Sequence, residues 1–309
     1  MVRILITDGI EAGAKEKLLK DGFEVVECFY APDDLGAALQ EFDVLVVRSA
    51  TRVSRLAIDQ ALKTNRLKLI IRAGVGLDNI DAAYAREKGI QVSNTPMASS
   101  VTVAELTIAH MLAVARFLNI ANVTMREGKW EKKKYKGVEL RGKTLGLVGF
   151  GRIAREVAPR AEAFGMRVIY TDLHPAKDVP YEWMDFDEML QQSDFVSLHC
   201  PYNPERGTMI TEKELALMKP SAYLINCSRG NLVSESALLA ALNNGKLAGA
   251  GLDVFEHEPS VNQELLNHPR VSVTPHIGAS TAEAQQQAGE EVVRIIRSFS
   301  FDPTHSARK

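Results

Sequence analysis

The sequence has few of the residues that mark disulfide-rich, metal-binding, nucleic-acid-binding or membrane proteins. Its three cysteines, Cys28, Cys200 and Cys227, lie far apart, which argues against a disulfide framework and against Cys-x-x-Cys metal sites. The 37 Lys and Arg nearly balance the 39 Asp and Glu, so no overall charge favours nucleic acid or anionic lipid. No apolar run reaches the roughly 18 residues of a membrane-spanning helix, and the opening MVRILITDG is too short for a signal peptide. We therefore expect a cytoplasmic globular protein without a nucleic-acid or membrane partner.

The sequence does contain a regular alternation of short apolar runs with helix-sized segments. Hydrophobic residues make up 46% of its 309 residues, which is enough for a sizeable core and, at this length, for two domains. Near-continuous apolar strands separated by helices predict parallel sheets covered on both faces. The predicted strands form two series, first RILITD, FEVVECF, VLVVRS, LKLIIRAG and IQVSN, then TLGLVGF, RVIYTD, FVSLHC, AYLINC, AGAGLDV and VSVTPH. The expected fold class is α/β with two doubly wound, Rossmann-like domains.

Two helices have distinctive patterns. Residues 101–127 contain no helix breaker and predict one long apolar helix between the two strand series. His110 lies within its apolar pattern, as expected for a hydrogen-bonded core or interface residue. The final helix begins near STAEAQQQ, where Ser280 and Glu283 fit a capping box.

The stretch TLGLVGFGRIAREVA, at the start of the second series, has the pattern of a dinucleotide-binding turn. Gly149 and Gly151 follow an apolar strand and precede a helix, and Ala154 is small enough for close packing of that helix on the strand. Asp172 ends the next predicted strand 21 residues after Gly151, the position at which an acid binds the adenosine ribose. The alternative is a tight strand-to-helix turn without a ligand. The acid favours NAD over NADP, although Lys177 lies nearby.

Three further polar residues follow predicted strands, where open α/β sheets bind ligands. Arg229 follows AYLINC, Glu258 follows AGLDV, and His276 follows VSVTP. A hydride-transfer enzyme needs a cation for its substrate and a group that exchanges the hydroxyl proton, and arginine and histidine suit these roles. Each residue also has an ordinary structural interpretation. No His, Cys, Asp and Glu cluster has metal-ligand spacing, so no metal is expected.

Taken together, these stretches resemble the D-isomer-specific 2-hydroxyacid dehydrogenase family. The similarity covers nearly the whole chain, through RAGVGLDNID, NTP with VAELTIAHML, GKTLGLVGFGRIA, NCSRG, AGLDVFEHEP and TPHIGAST. It implies that Arg229 binds the substrate carboxylate and keto oxygen and that His276 is the general acid and base. Glu258 would orient this histidine and favour its charged form. His257 is the nearest competitor for the base.

The resemblance also implies an NAD site and its contacts. Asp253 corresponds to an aspartate that meets the nicotinamide amide, although a structural role for it is equally plausible. The implied cofactor-binding residues are Val75, Gly149, Gly151, Arg152, Ile153, Asp172, Cys200, Pro201, Cys227, Ser228, Asp253, Gly278 and Ala279.

The family architecture sets the expected domain boundaries. Residues 1–98 and 282–309 would form the substrate-binding domain, and residues 99–281 the NAD-binding domain inserted between them. The active site would lie in the interdomain cleft, which closes on substrate binding. The segment from residue 101 to Arg141 resembles the family's dimer extension, so a homodimer is expected.

Within the family, the substrate-domain loops resemble the phosphoglycerate dehydrogenase branch. VVRSATRVS and IIRAGVGLDN place Arg48, Ser49, Arg72 and Gly74 around the substrate, which would be the phosphorylated 2-hydroxy acid 3-phospho-D-glycerate. The basic run Lys132, Lys133 and Lys134 offers further cations or only a solvated face. One departure is Met97-Ala98-Ser99, where many of these enzymes have Asn-Gly-Asn after NTP.

The sequence is also compatible with two other functions. One is a glyoxylate or hydroxypyruvate reductase acting on unphosphorylated keto acids, and the other is an NAD-sensing corepressor that acts by binding partners. The chain ends at residue 309, so feedback by serine through a C-terminal regulatory domain is not expected.

Overall fold

Short strands, most of them buried, form two fully parallel sheets in the computed structural model, which describes residues 1–301. The first sheet has the order β2-β1-β3-β4-β5 and the second the order β12-β11-β10-β9-β6-β7-β8. The first comprises β1 (Arg3–Ile6), β2 (Glu24–Glu27), β3 (Val44–Val47), β4 (Leu69–Arg72) and β5 (Gln91–Asn94). The second comprises β6 (Thr144–Val148), β7 (Arg167–Thr171), β8 (Glu182–Trp183), β9 (Phe195–Leu198), β10 (Tyr223–Asn226), β11 (Gly249–Leu252) and β12 (Val271–Val273). The predicted α/β class with two parallel sheets is confirmed.

Twelve α-helices accompany the strands in the described part of the chain. They are α1 (Ala12–Lys20), α2 (Pro32–Ala38), α3 (Arg55–Ala61), α4 (Ala82–Glu87), α5 (Ser100–Arg116), α6 (Leu118–Arg126), α7 (Arg152–Ala163), α8 (Phe186–Gln192), α9 (Glu212–Leu217), α10 (Glu235–Asn243), α11 (Gln263–Leu266) and α12 (Ala282–Ser298). Strands such as β3, with the sequence VLVV, are buried at every residue because helices cover both faces of the sheet.

The chain folds as two units, each with one sheet. The first consists of Met1–Ser99 and Ala279–Lys309, and the second of Ser100–Gly278. The boundaries expected from the sequence lie within three residues of these. Residues 302–309 of the expected substrate domain lie outside the described residues.

In each unit the strand order reverses at one place, which is where open α/β sheets bind ligands. In the first unit the reversal lies between β1 and β3, because β2 pairs with the other side of β1. In the second unit it lies between β6 and β9. The loops after these four strands therefore define two candidate sites.

The predicted long helix over residues 101–127 is wrong, because it breaks at Phe117. Phe117 has a φ of +55°, and α5 and α6 meet there at an angle of 66°. A returning segment caps α5, since the Val138 N–H donates to the Ala115 carbonyl at 2.9 Å. Gly137 allows this approach, because a Cβ there would lie 2.3 Å from the same carbonyl oxygen. Within residues 1–301 no single helix is long and apolar enough to span a membrane, and only the bent α5–α6 pair meets that criterion together.

The predicted cap of the last helix is shifted by one residue. Helix α12 begins at Ala282, and its cap is Thr281, whose hydroxyl accepts from the Ala284 N–H at 3.2 Å. The predicted box of Ser280 with Glu283 is therefore wrong, because the two residues are not at the cap and third positions of this helix.

Candidate active site

The glycine-rich turn joins β6 to α7 at the reversal point of the second sheet. Gly149 has a φ of +84°, and a Cβ there would lie 2.9 Å from the His199 carbonyl oxygen, so only glycine fits. Gly151 precedes the 12-residue helix α7 without a side-chain cap, and a Cβ there would meet nothing within 4 Å. Open space therefore lies beside the unpaired amides of a helix N-terminus, which suits a phosphate group. Arg152 is exposed and Ile153 half-buried at the start of this helix.

Asp172 is fixed at the edge of this turn. Its carboxylate accepts from the Phe150 N–H at 2.6 Å and from the Leu173 N–H at 2.7 Å. The acid predicted 21 residues after Gly151 therefore contacts the glycine-rich turn directly. With Gly149 and Gly151, it gives the chain the features that a bound dinucleotide requires.

The segments after β9 and β10 border the same turn. The Ser228 hydroxyl donates to the Cys200 carbonyl at 2.6 Å, which ties these segments together beside the exposed Pro201. Burial raises the pKa of Cys200 to about 11 and that of Cys227 to about 12. Both thiols are therefore protonated at neutral pH and are not nucleophiles.

His276 and Glu258 form the central pair of the second unit. The His276 Nδ1 lies 2.6 Å from a Glu258 oxygen, and the other Glu258 oxygen accepts from the Phe255 N–H at 3.1 Å. As an ionised carboxylate only accepts, Nδ1 carries the hydrogen. The Nε2 of His276 makes no hydrogen bond with the described residues and is left to exchange a proton. The imidazole side chain is 43% exposed, so a substrate can reach it.

The charge on Glu258 is stabilised by its neighbours. Partial burial opposes ionisation, but the hydrogen bond and charge of His276, the Phe255 N–H and the charge of Arg229 together lower the pKa of Glu258. Arg229, Glu258 and His276 follow β10, β11 and β12, three adjacent strands of the sheet. The three predicted catalytic residues therefore lie on one edge of one sheet.

His257 does not share this arrangement. Its side chain is exposed and forms no hydrogen bond or ion pair with residues 1–301. The neighbouring Glu258 is directed at His276 instead. Of these two histidines, His276 is the one with the carboxylate partner that orients a catalytic imidazole.

The backbone around Arg229 is held by Asn226 and by a glycine. The Asn226 side chain accepts from the Ser228 N–H at 3.0 Å and donates to the Arg229 carbonyl at 2.9 Å. A Cβ on Gly230 would lie 1.8 Å from the Phe255 carbonyl oxygen, so the Arg229 loop contacts the Glu258 loop only because residue 230 is glycine.

Asp253 is buried and supports the loop that carries His276. Its carboxylate accepts from the Thr274 hydroxyl at 2.6 Å and from the N–H groups of Ile277 and Gly278, each at 2.8 Å. The His276 N–H donates to the Asp253 carbonyl at 2.8 Å. Asp253 therefore has the structural role that the sequence allowed, and its contact with the cofactor stays a prediction.

In the first unit, Arg48 lies beside a cavity of about 180 Å³ at the β1–β3 reversal. Asp8 holds its loop by accepting from the N–H groups of Arg48 and Thr51 at 2.7 and 3.0 Å. The half-buried Arg48 guanidinium forms no hydrogen bond or ion pair with the described residues, whereas Ser49 is exposed and does not line the cavity. The cavity lining includes Gly9, Glu11, Arg48, Gly74, Ser99 and Ala279.

Arg72 is packed against Gly74, the next glycine of this edge. A Cβ on Gly74 would lie 2.3 Å from an Arg72 guanidinium nitrogen, so the guanidinium occupies the space that a side chain at residue 74 would take. Val75 is 37% exposed, and its carbonyl accepts from the Asn94 side chain. Of the expected cofactor contacts, Val75 and Ala279 belong to this unit and the others to the second.

The basic run 132–134 forms an exposed 3-10 turn in the second unit. Lys134 pairs with Glu131 at 2.7 Å. No group of three or more His, Cys, Asp and Glu side chains among residues 1–301 is placed to hold a metal ion.

The sequence interpretation missed four residues that hold these sites, Asp8, Asn226, Gly230 and Thr274. Asp8, Asn226 and Thr274 are polar residues at strand ends, a signal used for other residues and available for these. Gly230 lies within NCSRG, but the close approach that requires it depends on a loop distant in sequence.

Comparisons with known proteins address the identity of the fold and site. Residues 108–278 match the family described as D-isomer specific 2-hydroxyacid dehydrogenase, NAD binding domain. The chain belongs to this family. It is therefore an NAD-dependent oxidoreductase, and the expected family, enzyme class and cofactor are confirmed.

Individual relatives differ in the names they carry. A hydroxypyruvate reductase from Thermotoga maritima is 47% identical, with 95% of this chain and 97% of the relative covered. A D-3-phosphoglycerate dehydrogenase from Methanocaldococcus jannaschii is 44% identical, with 96% of this chain covered but only 58% of the relative. The solved glyoxylate reductase from Paecilomyes thermophila is 34% identical with a TM-score of 0.89, covering 96% of this chain and 94% of that one. The family is thus shown, and the specific substrate is not decided by resemblance.

Proposed function

We propose that the enzyme interconverts 3-phospho-D-glycerate and 3-phosphohydroxypyruvate with NAD, the entry step to serine. The main support for a phosphorylated substrate is Arg48. Its guanidinium has no hydrogen bond or ion pair with the described residues and lies beside a cavity of about 180 Å³. Arg72 lies against Gly74, which lines the same cavity. Arg72 does not itself line the cavity, so Arg48 would supply the direct contact and Arg72 a second positive charge beside Gly74. A dianionic phosphate is the ligand that these two cations would favour.

The second unit supplies the residues for the reaction at the hydroxyl carbon. In the oxidative direction the Nε2 of His276 accepts the hydroxyl proton, and the ionised Glu258 stabilises the imidazolium that forms. Arg229 donates hydrogen bonds to the substrate carboxylate, which orients the hydroxyl towards His276. NAD, when bound, supplies the hydride acceptor. In the reductive direction the same imidazolium returns the proton to the keto oxygen.

The cofactor residues are part of the proposal. The N-terminus of α7, with Gly149, Gly151, Arg152 and Ile153, would hold the pyrophosphate, and Asp172 the adenosine ribose. The remaining proposed contacts are Val75, Cys200, Pro201, Cys227, Ser228, Asp253, Gly278 and Ala279.

The test of the phosphate proposal is to remove Arg48 or Arg72 and compare two substrates. Each charge-assisted hydrogen bond to phosphate contributes about 1.5–3 kcal/mol, so Arg48→Ala and Arg72→Ala should each lower kcat/KM on phosphohydroxypyruvate by roughly 10- to 100-fold. Activity on hydroxypyruvate should change much less, because that substrate has no phosphate. Arg52→Ala is the matched control for Arg48→Ala, since Arg52 is an exposed arginine of the same loop and does not line the cavity. Equal losses on both substrates would reject the phosphate role.

A second candidate is reduction of hydroxypyruvate or glyoxylate. It is favoured by the Thermotoga maritima hydroxypyruvate reductase, which matches this chain over 97% of its length. Glu11 also lines the cavity, and its carboxylate would repel a phosphate. A wild-type kcat/KM that is higher for hydroxypyruvate than for phosphohydroxypyruvate would establish this candidate instead.

We propose further that the chain forms a homodimer through α6 and the residues that follow it. The support is a set of exposed apolar side chains there, Leu118, Val123, Met125 and Trp130, each at least 49% exposed. Light scattering at micromolar concentration should give twice the 34.0 kDa chain mass, and a monomer mass would reject the proposal. Free thiols at Cys28, Cys200 and Cys227 suit a reducing cytoplasm.

A further inference from the structure

His110 is a buried histidine on α5 that the proposed reaction does not use. Its side chain is only 2% exposed, and burial lowers its pKa despite the nearby charge of Asp253. The adjacent strand β11 makes room for the imidazole at Gly251, where a Cβ would lie 2.7 Å from the His110 Cβ. The fold therefore buries a polar imidazole in a core position that an apolar side chain, which needs no hydrogen bonds, could also fill.

Both ring nitrogens of His110 have partners. The Nδ1 lies 2.9 Å from the Ser272 hydroxyl, and the Nε2 lies 3.0 Å from the Thr274 hydroxyl. The Asn119 side-chain amide donates to Ser272 at 2.7 Å, and Thr274 contacts Asp253 at 2.6 Å. These bonds form an unbroken chain from α6 through α5 to the loop after β12.

Asp253 determines the direction of every hydrogen bond in this chain. An ionised carboxylate only accepts, so the single hydroxyl hydrogen of Thr274 points to Asp253. The Thr274 oxygen must then accept from His110, which places a hydrogen on Nε2. A neutral imidazole carries one hydrogen, so Nδ1 accepts from Ser272. The Ser272 oxygen in turn accepts from Asn119. Every hydrogen bond in the chain therefore joins one donor to one acceptor.

The end of this chain is the loop that carries His276. Asp253 accepts from the N–H groups of Ile277 and Gly278, immediately after the histidine. His276 itself has a φ of +52°, a backbone conformation that non-glycine residues adopt only when neighbouring contacts impose it. Asp253 contacts the backbone on both sides of this conformation, through its carbonyl with the His276 N–H and through its carboxylate with the next two N–H groups.

We propose that His110 is a positioning residue for His276, acting as a neutral, Nε2-protonated imidazole through Thr274 and Asp253. The inference rests on the proposed role of His276 as the proton-exchanging group. His110 orients Thr274, Thr274 orients the Asp253 carboxylate, and Asp253 fixes the backbone that directs the His276 ring at Glu258. Loss of the Nε2–H donor leaves the Thr274 hydroxyl held by Asp253 alone and loosens this backbone.

Two substitutions of His110 separate the positioning role from a packing role. In His110→Gln the side-chain amide nitrogen takes the place of Nε2 and can donate to Thr274. In His110→Asn the shorter amide can accept from Ser272 but does not reach Thr274. We expect kcat per folded protein to stay within about threefold for Gln and to fall about tenfold or more for Asn, with KM changed little. Thr274→Val should resemble the Asn variant, and Thr274→Ser should restore activity.

A stability control is available on the same helix. Ile108→Ala removes a buried side chain of α5 that is outside the hydrogen-bond chain, and it should lower the melting temperature without lowering kcat. If Ile108→Ala and His110→Asn lowered kcat equally at matched stability, His110 would only be a packing residue. Equal losses in His110→Gln and His110→Asn would also overturn the proposal.

Nuclear magnetic resonance tests the same inference without turnover. Among the seven histidines, the His110 signals are those absent from His110→Gln, and they should show the neutral, Nε2-protonated pattern in ¹H–¹⁵N spectra. The downfield Nδ1 proton of His276, bonded to Glu258, should persist in the Gln variant and broaden or shift in the Asn variant. An Nδ1-protonated His110, or an unchanged His276 signal in both variants, would reject the positioning role. Full activity of His276→Ala would instead reject the proposed role of His276, with the His110 spectra unaffected.

Discussion

The C-terminal edges of the two sheets differ in how firmly their polar side chains are held. On the second sheet, His276, Glu258 and Asp253 are all bonded to named partners, and several of these bonds are to backbone amides. On the first sheet, the Arg48 guanidinium has no hydrogen bond or ion pair with the described residues, although its backbone is fixed by Asp8. The edge of the second sheet is preorganised. At the edge of the first sheet, the Arg48 guanidinium lies beside a cavity without a bound partner among the described residues.

This difference suggests that the reaction chemistry and the choice of substrate are determined at different sheet edges. Proton transfer from a 2-hydroxy acid requires an oriented imidazole whatever lies beyond the carboxylate, so the bonds at the second edge suit any substrate of the family. In the proposed reaction, recognition of the remaining part of the substrate would depend on the charges around the Arg48 cavity. That is consistent with relatives of similar identity, 47% and 44%, carrying the names of different enzymes.

The largest effect should come from removing the imidazole of the preorganised edge. His276→Ala should lower kcat by about 10²- to 10⁴-fold, the usual contribution of general acid–base catalysis, on phosphorylated and unphosphorylated substrates alike. NADH binding, measured by fluorescence, should change little. His257→Ala is the control and should be nearly silent. A severe His257 variant with a mild His276 variant would show that the wrong base has been chosen.

A methyl group at Gly230 should disturb the same edge without removing any functional group. The added Cβ would meet the Phe255 carbonyl oxygen at 1.8 Å, so the Arg229 and Glu258 loops must move apart. A displacement of about 1 Å can lower the rate by roughly 100-fold, and we expect a loss of that order in kcat/KM for Gly230→Ala. Gly245→Ala, at a φ of +68° with nothing within 4 Å of the added Cβ, controls for backbone strain alone. Equal activity of the two variants would mean that Arg229 and Glu258 need not be so close.

The fold and the reacting residues of this edge could be predicted because their signals are local. Apolar strands alternating with helices indicate parallel sheets, and Arg229, Glu258 and His276 each follow such a strand. The family resemblance then supplied their roles. The break at Phe117 could not be predicted, because no Gly or Pro marks it and the cap comes from Val138, more than twenty residues later.

The partners of the supporting residues could not be predicted for the same physical reason, although His110 was correctly expected to be a hydrogen-bonded core residue. His110 and Thr274 are 164 residues apart, and nothing in either neighbourhood indicates that they share a hydrogen bond. Gly230 and Phe255 come together only through the pairing of β10 with β11. The reacting residues could be predicted from the sequence, whereas the contacts that position them form only in the folded chain.

His199, beside the glycine-rich turn, should make the stability of the second unit depend on pH. Burial lowers its pKa to about 4, below the value of about 6.5 in an unfolded chain. The unfolded state therefore binds more protons between these values, so stability is full above about pH 6.5 and falls as the pH drops towards 4. The limit is about 3 kcal/mol, and the real loss will be smaller because the residue keeps some solvent exposure. Urea unfolding from pH 7 to 4 measures it, and His199→Gln should flatten the dependence. An identical pH profile for both proteins would exclude His199 as the cause.

Asp172 tests whether the preorganised edge also selects the cofactor. Asp172→Ala should weaken NAD binding by about tenfold, since hydrogen bonds to a charged group are lost, and should narrow the advantage of NAD over NADP. The variant also frees the Phe150 N–H, so a contact with the glycine-rich turn is lost together with the proposed ribose contact. Asp172→Asn, which keeps one acceptor oxygen, separates the two effects. Titration of both cofactors against the three proteins gives the ratios, and an unchanged NAD to NADP ratio would remove Asp172 from the ribose site.

The smallest effect should come from replacing Glu11, the carboxylate that lines the cavity at the edge of the first sheet. Glu11 caps α1 by accepting from the N–H groups of Gly13 and Ala14 at 2.8 and 2.9 Å, and these bonds lower its pKa, so it is ionised beside the Arg48 cavity at neutral pH. A negative charge there opposes a phosphate, but solvent screens it, and the effect of Glu11→Gln should resemble that of an exposed ion pair. We expect KM for phosphohydroxypyruvate to fall by roughly two- to fivefold, with KM for hydroxypyruvate unchanged.

Glu11→Gln also tests whether the two sheet edges really differ in how firmly their side chains are held. Gln keeps one acceptor for the cap, and a thermal melt will show whether α1 has been weakened. The expected change should shrink at high salt, because the repulsion is electrostatic. If Glu11→Gln instead raised KM for both substrates by the same factor, the carboxylate would be a positioning group for the cavity, and the first edge would be as firmly organised as the second.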